Sequence, residues 1–131
     1  MRKIQALIDS FRFHKAGVLT NAGRYSEALD ILGKIEASSE LIARRTLYEG
    51  DVYHRMKDYP SAVARYRTFI DEKFKEVLPE QDERYLLSYA KYYLACVERK
   101  LGHAVDVSGL KSDMERAART ATRVTTADFP P

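Results

Sequence analysis

The chain has 131 residues, 45% of them hydrophobic and 31% charged. That supports one buried core and excludes both wholesale disorder and two independent cores. Its 22 basic and 19 acidic residues leave a net charge of +3, a small surplus on a mixed surface that gives nucleic-acid binding only weak support. The apolar runs are far shorter than a bilayer span, and the lone cysteine, Cys96, excludes an internal disulfide; no membrane anchor is expected, and the expected compartment is the cytoplasm or nucleus.

Six glycines and four prolines punctuate the chain. Between them apolar residues recur at spacings of three and four, which predicts an all-α protein of about six helices. The first helix is expected over 1–21, with Ile4, Leu7, Ile8, Phe11, Val18 and Leu19 facing inward, and Ala22-Gly23 ends it. Ser26 is the expected N-cap of a second helix through Ile35, with Tyr25 just ahead of it as a hydrophobic staple. Ser38 or Ser39 caps a third helix that reaches Met56. The next turn closes at Asp58 or Tyr59, and Pro60 opens the fourth helix, where its missing N–H costs nothing. The charged stretch "KFKEVLPEQD" (73–82) is read as an extension of that helix before a turn. A fifth helix then covers Arg84 to Leu101 and stops at Gly102 with a C-cap signature. A short sixth helix occupies about Gly109 to Arg123, and 125–131 form a mobile tail.

One pattern is written twice. At a shift of 34 residues Ala16 aligns with Gly50, Val18 with Val52, Tyr25 with Tyr59, Ala28 with Ala62, Leu32 with Tyr66 and Ile35 with Phe69. Helices of this length joined by short turns must lie antiparallel. The small residues let backbones cross closely, and a hairpin that cannot bury its apolar face alone must stack on a neighbour.

The turns "GRYSEA" (23–28) and "KDYPSA" (57–62) resemble the Gly-x-Tyr-x-x-Ala turn of the tetratricopeptide (TPR) family, whose repeat length is also 34. The resemblance implies antiparallel helical hairpins stacked as a right-handed superhelix over 1–124, with repeats at about 11–40, 41–73 and 83–124. The segment "LYEGDVYHRMKDYPSAVARY" is similar, within that family, to repeats of the anaphase-promoting complex, which implies a scaffold. Two departures stand out. Lys57 replaces the family's glycine, and Arg12 and Lys15 replace a large aromatic and a leucine, which would hand their packing to Phe11, His14 and Val18.

Chemistry-bearing residues are sparse. His14, His54, His103 and Cys96 share no metal-ligand spacing; His54 is expected to line a surface and His14 to be packed. Cys96 would be a nucleophile only if His54 approached it, and no oxyanion site or orienting acid stands at a recognisable spacing. No catalytic residue, metal or cofactor is expected.

In the TPR family the first helix of each pair lines a concave groove. Carried over, this gives three rows: Ser10, Phe13, Gly17, Thr20 and Asn21; Arg44, Leu47, Asp51, His54 and Arg55; Tyr89, Tyr92, Cys96, Arg99 and Lys100. The resemblance therefore implies a non-enzymatic interaction module that binds a partner protein or peptide through Phe13, Arg44, Leu47, Asp51, His54, Arg55, Tyr89, Tyr92 and Arg99. The expected partner is a helix with apolar anchors and some acidic residues, since Tyr and Arg make strong contact centres. The positions of the family's carboxylate clamp hold Phe13, Gly17, Tyr48, Tyr89 and Tyr93, so docking of a chaperone tail is not expected. A structural homodimer and a small repeat chaperone of a secretion system are alternatives, as is a groove filled by a closing helix or second subunit. RNA binding is the least supported.

Overall fold

The computed structural model describes residues 2–36, 41–72 and 79–121, apart from the side chains of 2, 3 and 6. Among them the chain is all-helical: α1 (Arg2–Asn21), α2 (Tyr25–Gly33), α3 (Ile42–Arg55), α4 (Tyr59–Asp71), α5 (Glu80–Lys100) and α6 (Ser108–Thr120). Contacts are densest within the pairs α1/α2, α3/α4 and α5/α6; α4 also lies broadly against α5, and α2 more narrowly against α3. The pairing follows from turns too short to let neighbouring helices diverge.

The local signals act as elementary chemistry dictates, with a few shifts. Asp58 caps α4 by accepting hydrogen bonds from the Ser61 amide and hydroxyl, and Pro60 sits in the first turn. α2 begins at Tyr25 with Arg24 at the capping position and no side-chain cap bond, so Ser26 is not the cap. Ser38 and Ser39 lie outside the described residues, and α3 starts after Leu41. α4 ends at Asp71 because Glu72 turns extended, with ψ of 143°; Asp82 accordingly belongs to the first turn of α5 and not to an extended α4. Residues 73–78 and the tail 125–131 lie outside the described set.

The two repeat turns share one backbone conformation. Gly23 has φ of +77° and Lys57, at the matching place, φ of +64°. A side chain in this left-handed region costs about 1–2 kcal/mol, whereas glycine adopts it freely at some cost in unfolded-state entropy. Lys57→Gly is therefore expected to raise the unfolding free energy by about 0.5–1 kcal/mol, checked by urea denaturation.

Ala16, Ala28 and Ala62 are fully buried, as close helix crossings require. A Cβ built on Gly50 would stand 3.0 Å from the Tyr66 ring, so glycine is what lets that ring approach α3 so closely. Around these contacts the core gathers Phe13, Leu32, Ile35, Leu47, Tyr48, Val52, Tyr66, Phe69, Leu86 and Val97.

The first helix overturns an expectation. Ile4, Leu7, Ile8, Phe11 and Val18 are 62%, 57%, 40%, 66% and 56% exposed. Leu19 is buried as expected, but Phe13, Ala16, Gly17 and Thr20 are buried in place of the others, and His14 is exposed. α1 carries two apolar faces, and the one with the small residues is the one that can approach α2 closely. Phe11, His14 and Val18 thus take over no packing. Arg12 contributes polar contacts instead, since its guanidinium holds the buried Asp9 at 3.0 Å and donates to the Lys34 carbonyl at 3.2 Å. Arg45 of α3 donates to the neighbouring Ile35 carbonyl, so two cations from flanking helices satisfy the carbonyls just beyond α2.

Candidate functional site

The three predicted rows meet one another. α1 touches α3 where the Phe13 and Tyr48 rings pack edge to face at 5.1 Å and where Arg55 donates to the Asn21 amide oxygen at 2.8 Å. Asn21 and Arg55 stand one repeat apart. α3 touches α5 through Asp51, whose carboxylate accepts from the Tyr89 hydroxyl at 2.7 Å and from the Tyr66 hydroxyl of α4 at 2.5 Å. Arg44 lies over the Phe13 ring at 5.9 Å.

From Asp51 a chain of polar contacts runs outward. Tyr66 has spent its hydroxyl proton on Asp51, so it accepts from His54 Nδ1 at 3.3 Å. That places the imidazole proton on Nδ1 and leaves Nε2 to accept from the Lys100 ammonium at 3.2 Å. Lys100 in turn sits over the Tyr59 ring at 5.3 Å. The rings of Tyr59, Tyr66 and Tyr93 surround His54 at centroid distances of 6.1–6.2 Å. Asp51, Tyr66, His54 and Lys100 therefore form one line from the core to the surface.

Burial governs the ionisation of this line. It pushes the Asp51 carboxyl well above the usual carboxylate range, against the lowering pull of the two tyrosine hydroxyls and of Arg55. It raises the Tyr66 and Tyr89 hydroxyls too, reinforced by the Asp51 charge. His54 is held down to about 4, first by burial and then by the Lys100 charge, in accord with a neutral imidazole accepting from an ammonium.

The sign of the pH dependence follows. Between pH 6.5 and about 4 an unfolded His54 binds a proton that the folded one refuses, so its contribution to stability is complete above pH 6.5 and is lost as the pH falls toward 4. Asp51 acts oppositely: its raised folded value makes its contribution largest at low pH, to be lost as the pH rises through that value. His54→Gln isolates the first effect. Wild type is expected to lose about 1–2 kcal/mol more than His54→Gln between pH 7 and pH 4.5, a figure reduced for solvent screening, as read from urea midpoints at both values.

Five of the nine expected partner-binding residues, Phe13, Leu47, Asp51, His54 and Tyr89, are buried within the protein. They cannot present themselves to a partner, because packing and the tyrosine hydroxyls have satisfied them internally. Arg44, Arg55 and Tyr92 are half-buried and Arg99 is exposed; these four remain at the surface but form no continuous apolar patch. His54 does not line a surface as expected. Cys96 is half-buried and in no disulfide. Among the described residues no group of three or more His, Cys, Asp or Glu side chains could hold a metal ion. No described helix is long and apolar enough to cross a membrane.

Two features escaped the sequence. Tyr66 joins Asp51 to His54 in the polar line, and the spacing Asp51–His54–Arg55 gave no sign that a tyrosine of the next helix would separate the acid from the imidazole. The outer face of α1 was the other, although its signal was present: Ile4, Leu7, Ile8, Phe11 and Val18 repeat at three, four and seven, opposite a second stripe at Phe13, Ala16 and Thr20. A helix apolar on two sides, whose neighbours α2 and α3 cover only one of them, has a face to spare.

No protein-family model matches this chain, no curated protein matches it, and no solved structure matches it.

Proposed function

We propose that the protein is a non-enzymatic protein-interaction module of TPR-like helical hairpins, an assembly or scaffold subunit working in the cytoplasm or nucleus, and that it docks through the outer face of α1. The observation that carries this reading is the run of five exposed apolar residues on α1, with Phe11 at its centre 66% exposed. Large contiguous apolar surface is costly to leave in water and marks sites of association. The rows first expected to bind support the reading in a different way. By packing on one another they make a rigid platform, and a rigid platform loses little entropy when it binds.

A photo-crosslinking residue at position 11 tests the reading in cells. It should give discrete protein adducts that fade with Leu7→Glu, whereas the same group at the exposed Arg84 position should give none. Diffuse, equal labelling at both positions would sink the proposal.

A further inference from the structure

Resting on the reading of α1 as a docking face, we infer that its occupant is an amphipathic helix of another protein with acidic flanks, and not a second copy of this chain. Ile4, Phe11 and Val18 stand seven apart, with Leu7 and Ile8 between them. This is the spacing by which one helix presents a seam to another, because seven residues are nearly two turns. From Ile4 to Val18 the stripe is about 21 Å long, so the partner segment needs about 14–18 helical residues.

Charge decides between the two occupants. The sequence of α1 holds one carboxylate, Asp9, which is fully buried and engaged by Arg12 at 3.0 Å and Gln5 at 3.2 Å. His14 and Lys15 are exposed and stand between Phe11 and Val18 along the stripe, and Arg12, beyond the Ile8 edge on the α2 side, is already paired with Asp9. On the α2 side the stripe borders an open groove of about 330 Å³ floored by Leu19 and Ile31. There Lys15 and Lys34 outnumber Asp30, since Glu27 is held by Arg24 in an ion pair. A second copy would bring the same cations to the seam with no acid to meet them, and like charges at such positions oppose pairing. Glutamates flanking a partner's apolar stripe would complement them.

Three designed 18-residue helical peptides test this on the full chain. They share one heptad-spaced leucine stripe and differ in carrying Glu, Gln or Lys at the flanking positions. Fluorescence anisotropy should show the Glu peptide binding at least tenfold tighter than the Lys peptide. Phe11→Glu should abolish this binding without moving the melting temperature, and Lys15→Glu should invert the preference. Equal binding of all three would overturn the charge assignment while leaving the docking face standing. A concentration-dependent dimer in sedimentation that Phe11→Glu dissociates would overturn the choice of occupant and give the face to a second copy. Failure of every peptide to bind a monomeric chain would overturn both the inference and the function it rests on.

Discussion

Replacing both Tyr66 and Tyr89 by phenylalanine is expected to lower the unfolding free energy by about 4 kcal/mol, and each single change by about 2 kcal/mol. The reason is asymmetric. The hydroxyls leave, and the Asp51 carboxylate that they served stays behind, fully buried. A hydrogen bond to a charged group contributes about 1.5–3 kcal/mol, and a buried charge stripped of its donors costs more than the bonds alone. With the donors gone, Asp51 relieves the charge by taking up a proton, so the double variant's deficit should be larger at pH 8 than at pH 5. Asp51→Asn in the double-phenylalanine background removes the charge and should recover part of the loss. Chemical denaturation of wild type and the four variants at both pH values checks this; single variants within about 0.5 kcal/mol of wild type would show that Asp51 does not depend on the tyrosines.

Phe13→Ala carries the second large effect, a loss of about 3–5 kcal/mol and about 10–20 °C in melting temperature. The ring is buried between α1 and α3, edge-on to Tyr48 and under the Arg44 guanidinium. Truncation would leave a cavity where the first and second hairpins join, and two ring interactions would go with it. Phe13→Leu, which nearly fills the space, should cost about 1 kcal/mol. A partner-facing Phe13, as the groove reading required, would give the opposite result: an unchanged melting temperature with a loss confined to binding. Differential scanning calorimetry distinguishes the two outcomes.

The architecture was legible at most positions where a backbone rule acted alone, the N-cap of α2 being an exception, since Arg24 and not Ser26 holds that position. Gly23 and Gly102 end helices because they hold positive φ, Asp58 and Pro60 start one, and the alanines at 28 and 62 mark close crossings. Such signals depend on a few neighbouring atoms, so the sequence carries them whole. The candidate site was legible in part of its membership and misread in depth. Asp51 and His54 were placed on a groove surface by the carry-over from the TPR resemblance, and nothing local showed that Tyr66 and Tyr89, 15 and 38 residues away, bring the acid hydroxyl donors that offset the cost of burying it. The orientation of α1 was misread for a related reason. Both of its faces are apolar, and which turns inward is decided by the fit of Ala16 and Gly17 to a separate helix, a property that no periodicity within α1 contains.

The grip of Arg12 and Arg45 on the carbonyls at 34 and 35 bears on how the molecule breathes. Nine residues are too few to persist as a helix in water without support from their surroundings, so α2 cannot detach from α1 and survive as an isolated rod. Amide hydrogens of α1 and α2 should therefore exchange with deuterium together, in one cooperative opening of the amino-terminal end. Anything that clamps the outside of α1 would slow exchange along the whole of α2 as well, beyond the few residues at the groove that it meets.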